Sequence, residues 1–176
     1  YGIAGKYVTS EAIYQKESDS IFSRRWLCAG RLEELDPDSS CLPISNEKQS
    51  LFLIRDESGT VRAFRNFCRH RGSQLVTETN CSSMGKRIQC PYHAWTYSLE
   101  GKLKGVPGRA GFADLDMQEH GLVEVNALEK GGLVYVAQNG PINSETLPNC
   151  LDYFSPEQEM FEQDGYTDQA NWKLLT

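Results

Sequence analysis

The sequence predicts a mainly β domain, an antiparallel β-sandwich or small barrel, with an N-terminal helix and a short C-terminal helical extension. Three observations predict it. From residue 51 onward, apolar or alternating runs of strand length are separated by turn chemistry. One long helix-periodic stretch, "SEAIYQKESDSIFSRR" at 10–25, precedes them. The longest apolar runs, "LFLI" at 51–54 and "LVYVA" at 133–137, are strand-sized and fall far short of the ~20 residues of a membrane span.

Each element has its own justification. In the helix, Ser10 can cap, Glu11 suits the first turn, and Arg24 and Arg25 suit the last. Ile13, Tyr14, Ile21 and Phe22 share neighbouring parts of one face. "WLCAG" at 26–30 reads as a strand, and the acidic, turn-rich "EELDPDSSCLP" reads as a loop. "LFLIR", the turn "DESGT" and "VRAFRNF" form a hairpin. "KRIQC" at 86–90 and "AWTYS" at 94–98 are strand candidates, followed by a tight turn at "LEGK", 99–102. "LVEVNA" at 122–127 and "LVYVA" pair across "LEKGG", and the chain turns helical around "SPEQEMFEQ" at 155–163. The divisions expected are an arm and linker over 1–40, a β-domain over 41–140, and a linker leading into a further domain over 141–176.

The composition is that of a folded, water-soluble chain: 176 residues, 39% hydrophobic and 24% charged. No signal-peptide pattern opens it, and the expected location is the cytoplasm. The net charge of −6 is unevenly spread. Residues 61–110 carry nine Lys or Arg against two Glu, whereas 111–176 carry two Lys against twelve Asp or Glu. An acidic chain without a nucleic-acid motif points away from DNA or RNA. The basic block is either a solvated face paired within the subunit or a docking surface for an acidic partner.

That block brackets two stretches, "CRHRG" from Cys68 and "CPYHAWTY" from Cys90, which hold two of only three histidines. The pattern is Cys-x-His, nineteen residues, then Cys-x-x-His. Both stretches fall in loops between predicted strands. Six cysteines permit disulfides, but a chain of this size without a secretion signal favours metal binding. Three readings compete. Two core histidines and two buried thiols could coincide. A tetrahedral zinc accepts two Cys and two His, but its usual knuckles pair like with like. A 2Fe–2S cluster with two imidazoles on one iron needs one thiolate and one imidazole from each of two matched loops.

"CRHRG" followed by "CPYHAWTYSLEGKL" strongly resembles the cluster-binding loops of Rieske proteins, and most closely those of the large subunit of Rieske non-haem iron oxygenases. "SEAIYQKESDSIFSRRWLCAG", "LIRDESGTVRAFRNFCRHRG", "HGLVEVNALEKGGLVYV" and "NWKLLT" resemble successive parts of the same subunit. The resemblance implies a Rieske-type β fold, with Cys68 and Cys90 as thiolate ligands and His70 and His93 as imidazole ligands of a 2Fe–2S cluster. It implies an electron-transfer role in an oxygenase that hydroxylates an aromatic or amine substrate with O2. A ferredoxin or flavin reductase would be the donor, and the whole protein would be a homo-oligomer, typically a trimer. A free-standing Rieske ferredoxin is the alternative, though such carriers are usually shorter and lack the N-terminal helix.

Respiratory Rieske proteins brace the two loops with a disulfide. Ser73 and Tyr92 stand at those positions here, which points away from a respiratory complex. Family members also bind a mononuclear iron through two histidines and a carboxylate. His120 alone cannot supply that set and reads as a surface or turn residue, so the catalytic iron is expected in a domain beyond this stretch. Trp95 and Tyr97 read as wall packing, and Cys81 as an inert thiol. Arg69, Arg71, Lys86, Arg87 and Lys102 are the cations of the basic block that could favour an acidic donor.

Overall fold

The computed structural model describes residues 2–35, 41–46, 49–77, 86–137 and 170–174, with residues 139, 147 and 158. Nine strands are seen among them: β1 (Leu27–Arg31), β2 (Cys41–Asn46), β3 (Gln49–Arg55), β4 (Val61–Arg65), β5 (Ile88–Gln89), β6 (Thr96–Tyr97), β7 (Leu103–Gly105), β8 (Glu124–Lys130) and β9 (Leu133–Ala137). Six form one antiparallel sheet in the order β1-β9-β8-β4-β3-β2, and β5-β6-β7 form a second, three-stranded sheet. The smaller sheet is thus an insertion between β4 and β8, neighbours in the larger one.

β3 explains how the two are joined. Leu51 and Leu53 point into a core with Leu35, Ala63, Val125, Val134 and Val136. Phe52 and Ile54 point the other way, into a core shared with Phe64, Cys68, Ile88, Cys90, Trp95 and Tyr97 of the insertion. A strand covered on both faces needs an unbroken apolar run rather than an alternating one, and "LFLI" supplies it. Phe52 lies opposite Phe64 in the β3–β4 register, with ring centroids 5.6 Å apart.

The "DESGT" hairpin forms as the sequence predicts. Asp56 is buried at its start and accepts hydrogen bonds from Ser58 N (2.9 Å), Thr60 N (3.0 Å) and Arg62 Nε (2.8 Å). Burial opposes the charge on Asp56, but the bonds from Ser58 and Arg62 outweigh it and hold the carboxyl below its usual range. Arg62 continues to Glu124 at 2.9 Å, tying the hairpin to β8.

Several expectations are corrected. The helix expected over 10–25 is shorter, α2 (Glu11–Glu17) running into a π-helical turn, Ser18–Phe22, and a separate α1 (Lys6–Thr9) precedes it. Ser10 sits between α1 and α2, and its side chain makes no capping bond. The tail of the supposed loop, from Cys41, is edge strand β2, where Pro43 costs no interior ladder bond. β7 was not foreseen, and β5 and β6 are only two residues each. β8 runs on to Lys130, so the connection to β9 is just Gly131 and Gly132, both at positive φ, as a tight hairpin requires. Cys28, Cys68 and Cys90 are free thiols. Cys41, by contrast, is disulfide-bonded, a pairing that spacing alone could not reveal. The partner of that bond, Cys81 and the predicted helix at 155–163 lie outside the described residues. No helix among the described residues is long and apolar enough to cross a membrane.

One glycine holds the small sheet against the large one. Gly101 has φ +81°, its N–H bonds Ser98 O (2.9 Å), and its carbonyl accepts Leu122 N (2.7 Å). A Cβ there would sit 2.5 Å from the Phe64 ring. Gly101→Ala is therefore expected to cost about 3 kcal/mol, from left-handed backbone strain and overpacking together. Chemical denaturation measures it.

Candidate metal centre

The two Cys/His stretches fold into the same turn, used twice. In the first, Cys68 N bonds Ser73 O (2.8 Å) and Gly72 N bonds Cys68 O (2.9 Å). In the second, Cys90 N bonds Trp95 O (2.8 Å) and Ala94 N bonds Cys90 O (3.0 Å). The fourth residue after each cysteine is left-handed: Gly72 at φ +72° and Ala94 at φ +54°. The histidines occupy different places within this common frame, His70 two residues after its cysteine and His93 three.

The ends of the first loop are fastened by Asn66, which the sequence reading missed. Its buried amide donates to Val76 O (2.8 Å) and Ser50 Oγ (3.1 Å), and its Oδ1 accepts Leu75 N (3.1 Å) and Val76 N (2.9 Å). Asn66 stands two residues before Cys68 with no distinguishing pattern of its own. The signal is visible only once the loop is closed.

Trp95 and Tyr97 line the wall, as expected, and they also reach across to the other loop. The buried Tyr97 hydroxyl accepts Arg69 N–H at 3.1 Å, leaving its own hydrogen for Cys68 Sγ at 3.2 Å. Trp95 stacks on His70, centroids 4.8 Å apart and planes 6° from parallel. Burial, with the bond to Cys68, raises the Tyr97 pKa beyond any physiological range.

All four predicted residues come together. Cys68 and Cys90 are both buried in the same core. The His70 and His93 rings are 4.8 Å apart. Burial pushes the Cys68 thiol up, against bonds from Tyr97 and the His70 backbone, and the neighbouring Cys90 adds to the rise. Burial also lowers the His70 pKa, with smaller contributions from His93 and Arg71. His93 Nδ1 is buried and has no hydrogen-bond partner. The arrangement is a sulfur pair beside an imidazole pair. Among the described residues, no three His, Cys, Asp or Glu gather round one point as a single ion would require.

This donor set fits a two-iron cluster. A buried, unpartnered imidazole nitrogen is costly unless something binds it, and cysteines bind a metal as thiolates. His120 is not part of the group. It bonds Asp116 O through Nδ1 at 2.7 Å and touches the far side of Trp95.

Comparison with known proteins agrees. Residues 25–116 match the model of the Rieske [2Fe-2S] domain. The glycine betaine monooxygenase oxygenase subunit of Pseudomonas aeruginosa is 32% identical over 99% of this chain and 42% of its own length. The salicylate 5-hydroxylase large oxygenase component of Ralstonia sp is 29% identical over 95% of this chain and 44% of its own. Among solved structures, a quaternary ammonium Rieske monooxygenase in complex with L-carnitine superposes with TM-score 0.73 at 27% identity, covering 81% of this chain and 40% of that one. Naphthalene 1,2-dioxygenase from Rhodococcus sp. gives 0.68 at 26% identity, covering 76% and 30%. The chain thus spans less than half the length of these relatives.

Tyr97→Phe removes the hydroxyl that bonds Cys68 Sγ. A bond donated to a cluster sulfur favours the more negative, reduced state. Losing about 1 kcal/mol of it is expected to lower the reduction potential of the iron-loaded chain by roughly 40 mV for a one-electron couple. Redox titration followed by visible absorption measures the shift.

Proposed function

We propose that this chain, which belongs to the Rieske [2Fe-2S] domain family, holds its cluster through Cys68 and Cys90 on one iron and His70 and His93 on the other. The observation that carries the assignment is the pairing of like donors, together with the unpartnered His93 Nδ1. A cluster so held supplies one-electron transfer at a potential above that of all-cysteine clusters, because neutral imidazoles replace two negative thiolates. Residues 41–140 form the cluster domain, 1–40 an arm whose β1 completes the large sheet beside β9, and 141–176 the link to a further domain.

The whole protein is an oxygenase subunit that uses these electrons to hydroxylate an aromatic or amine substrate with O2. Its mononuclear iron is bound in the further domain. The names of the relatives support both substrate classes. The subunit assembles as a homo-oligomer, a trimer, in the cytoplasm. The arm supports an oxygenase subunit over a free-standing carrier. Glu17 forms a half-buried ion pair with Lys173 at 2.7 Å and accepts Trp172 Nε1 at 3.2 Å, so the arm holds the chain at residues 172–173, within the link.

The electron donor is a ferredoxin or flavin reductase with an acidic face. Arg69 and Arg71 are exposed on either side of His70, and Tyr92 lies exposed beside the His93 ring, centroids 3.8 Å apart. Of the other cations in the basic block, Lys86 pairs loosely with Glu57 at 3.5 Å, both well exposed.

Iron and acid-labile sulfide analysis of the purified chain tests the assignment, with two of each expected per chain. Stoichiometric zinc without sulfide would sink it. His70→Cys is expected to lower the potential of any cluster that survives, since a third thiolate opposes the incoming electron.

Donor docking gives a separate expectation. Arg69→Glu with Arg71→Glu should slow reduction by an acidic ferredoxin roughly tenfold at low ionic strength, and the gap should close as salt rises. Stopped-flow reduction at two salt concentrations measures it, and equal rates for wild type and variant would remove the docking role.

A further inference from the structure

The geometry points to Trp95 as the residue that fixes the ring plane of His70 and locks the two loops together, a positioning role that rests on the ligand assignment above. The two imidazoles are held very unequally. Among the described residues, the rings that contact His93 are His70 and Tyr92, and Tyr92 is 62% exposed. His70 is enclosed. The Trp95 indole covers its face at 4.8 Å and 6°, and Phe112 meets its edge at 5.7 Å and 81°. Trp95 itself is 2% exposed and is backed by Phe112 at 5.9 Å and His120 at 6.2 Å. An imidazole rotates easily about its terminal torsion unless its faces are packed. A parallel indole and a perpendicular phenyl restrict that rotation for His70.

The backbone shows that this stack is built rather than incidental. Trp95 closes the second loop through its carbonyl, which accepts Cys90 N at 2.8 Å, and its side chain crosses to the first loop. One residue therefore ties the turn that bears Cys90 and His93 to the ring of His70. The residue before it, Ala94, is the one non-glycine among the described residues at positive φ, +54°. A left-handed alanine is unfavourable and persists only where its surroundings over-determine it. Here the reversal at Ala94 carries the chain from His93 straight to Trp95, so that both side chains face the first loop. Thr96 Oγ1 caps the Ala94 carbonyl at 3.0 Å and secures the same turn.

Partners that orient a metal-bound imidazole alter affinity and spectrum when removed. Two variants separate this role from general packing: Trp95→Phe keeps an aromatic face for His70, and Trp95→Leu does not. The measurements are electron paramagnetic resonance of the reduced, iron-loaded chain, the rate of bleaching by an iron chelator, and amide exchange at Gly72 and Ser73 in the first loop. Trp95→Leu is expected to broaden and shift the resonance, to bleach roughly tenfold faster, and to exchange faster at Gly72 and Ser73. Trp95→Phe is expected to stay close to wild type in all three. An intact Trp95→Leu cluster with an unchanged resonance would overturn the inference, as would a Trp95→Phe variant as disturbed as Trp95→Leu. If Trp95→Leu yields no folded, iron-loaded protein, Phe112→Leu decides. It removes the backing from both rings and is expected to broaden the resonance, and an unaltered line would overturn the inference. The ligand assignment fails separately, if the wild-type chain itself binds no iron and sulfide.

Discussion

The hydroxyl of Tyr97 is where the two loops become one site. It accepts the Arg69 N–H and faces Cys68 Sγ, so a residue rooted in the small sheet fixes both the backbone and the sulfur of the loop that follows β4. Everything around it serves that placement. Tyr97 pairs with Ile88 in β6–β5 and with Leu103 in β6–β7, which is why two strands of only two residues each persist. Their value lies in the side chains they aim, since so short a ladder contributes little stability by itself.

The larger sheet gives that arrangement something rigid to lean on. β3 is buried on both faces and its two rows of side chains serve two cores. The core under the site contains both cysteines and the aromatic residues that brace the histidines. Packing at the density of a protein interior transmits displacement instead of absorbing it. A change at Phe64 or Gly101 is therefore felt at the loops.

Much of this was legible in the sequence, and the parts that were not share a cause. The four site residues stood out because cysteine and histidine are scarce and their spacing is matched. β3 and β9 stood out because their runs are apolar, and β4 because it alternates and follows a turn. β7 did not, because "LKG" has no periodicity; it is a strand only because Tyr97 and Thr96 offer it an edge. Asn66, Trp95 and Tyr97 carry their roles through contacts with residues distant in sequence, to which neither propensity nor pattern is sensitive. The π-helical turn was hidden for a similar reason. A helix-periodic sequence gives no warning that Ser18–Phe22 will widen, and the widening has its partner at the far end of the chain. In an α-helix, residues five apart face different ways; the wider turn allows Glu17 and Phe22 both to meet Trp172.

The two loops also divide the work of the site between them. The first is polar outside and fastened within, with Arg69 and Arg71 exposed and the Asn66 amide buried beneath. The second is aromatic throughout, with Tyr92 exposed, Trp95 and Tyr97 buried, and His93 between. Each supplies what the other lacks. The second loop's rings orient the first loop's histidine and sulfur, and the first loop's arginines place positive charge beside a site whose sulfurs are negative when metal is bound. Under the function proposed above, that charge would favour an added electron and would also suit an acidic partner at the same rim. One patch of arginine can thus serve both the potential of the site and access to it, since both depend on positive charge within a few ångströms of His70.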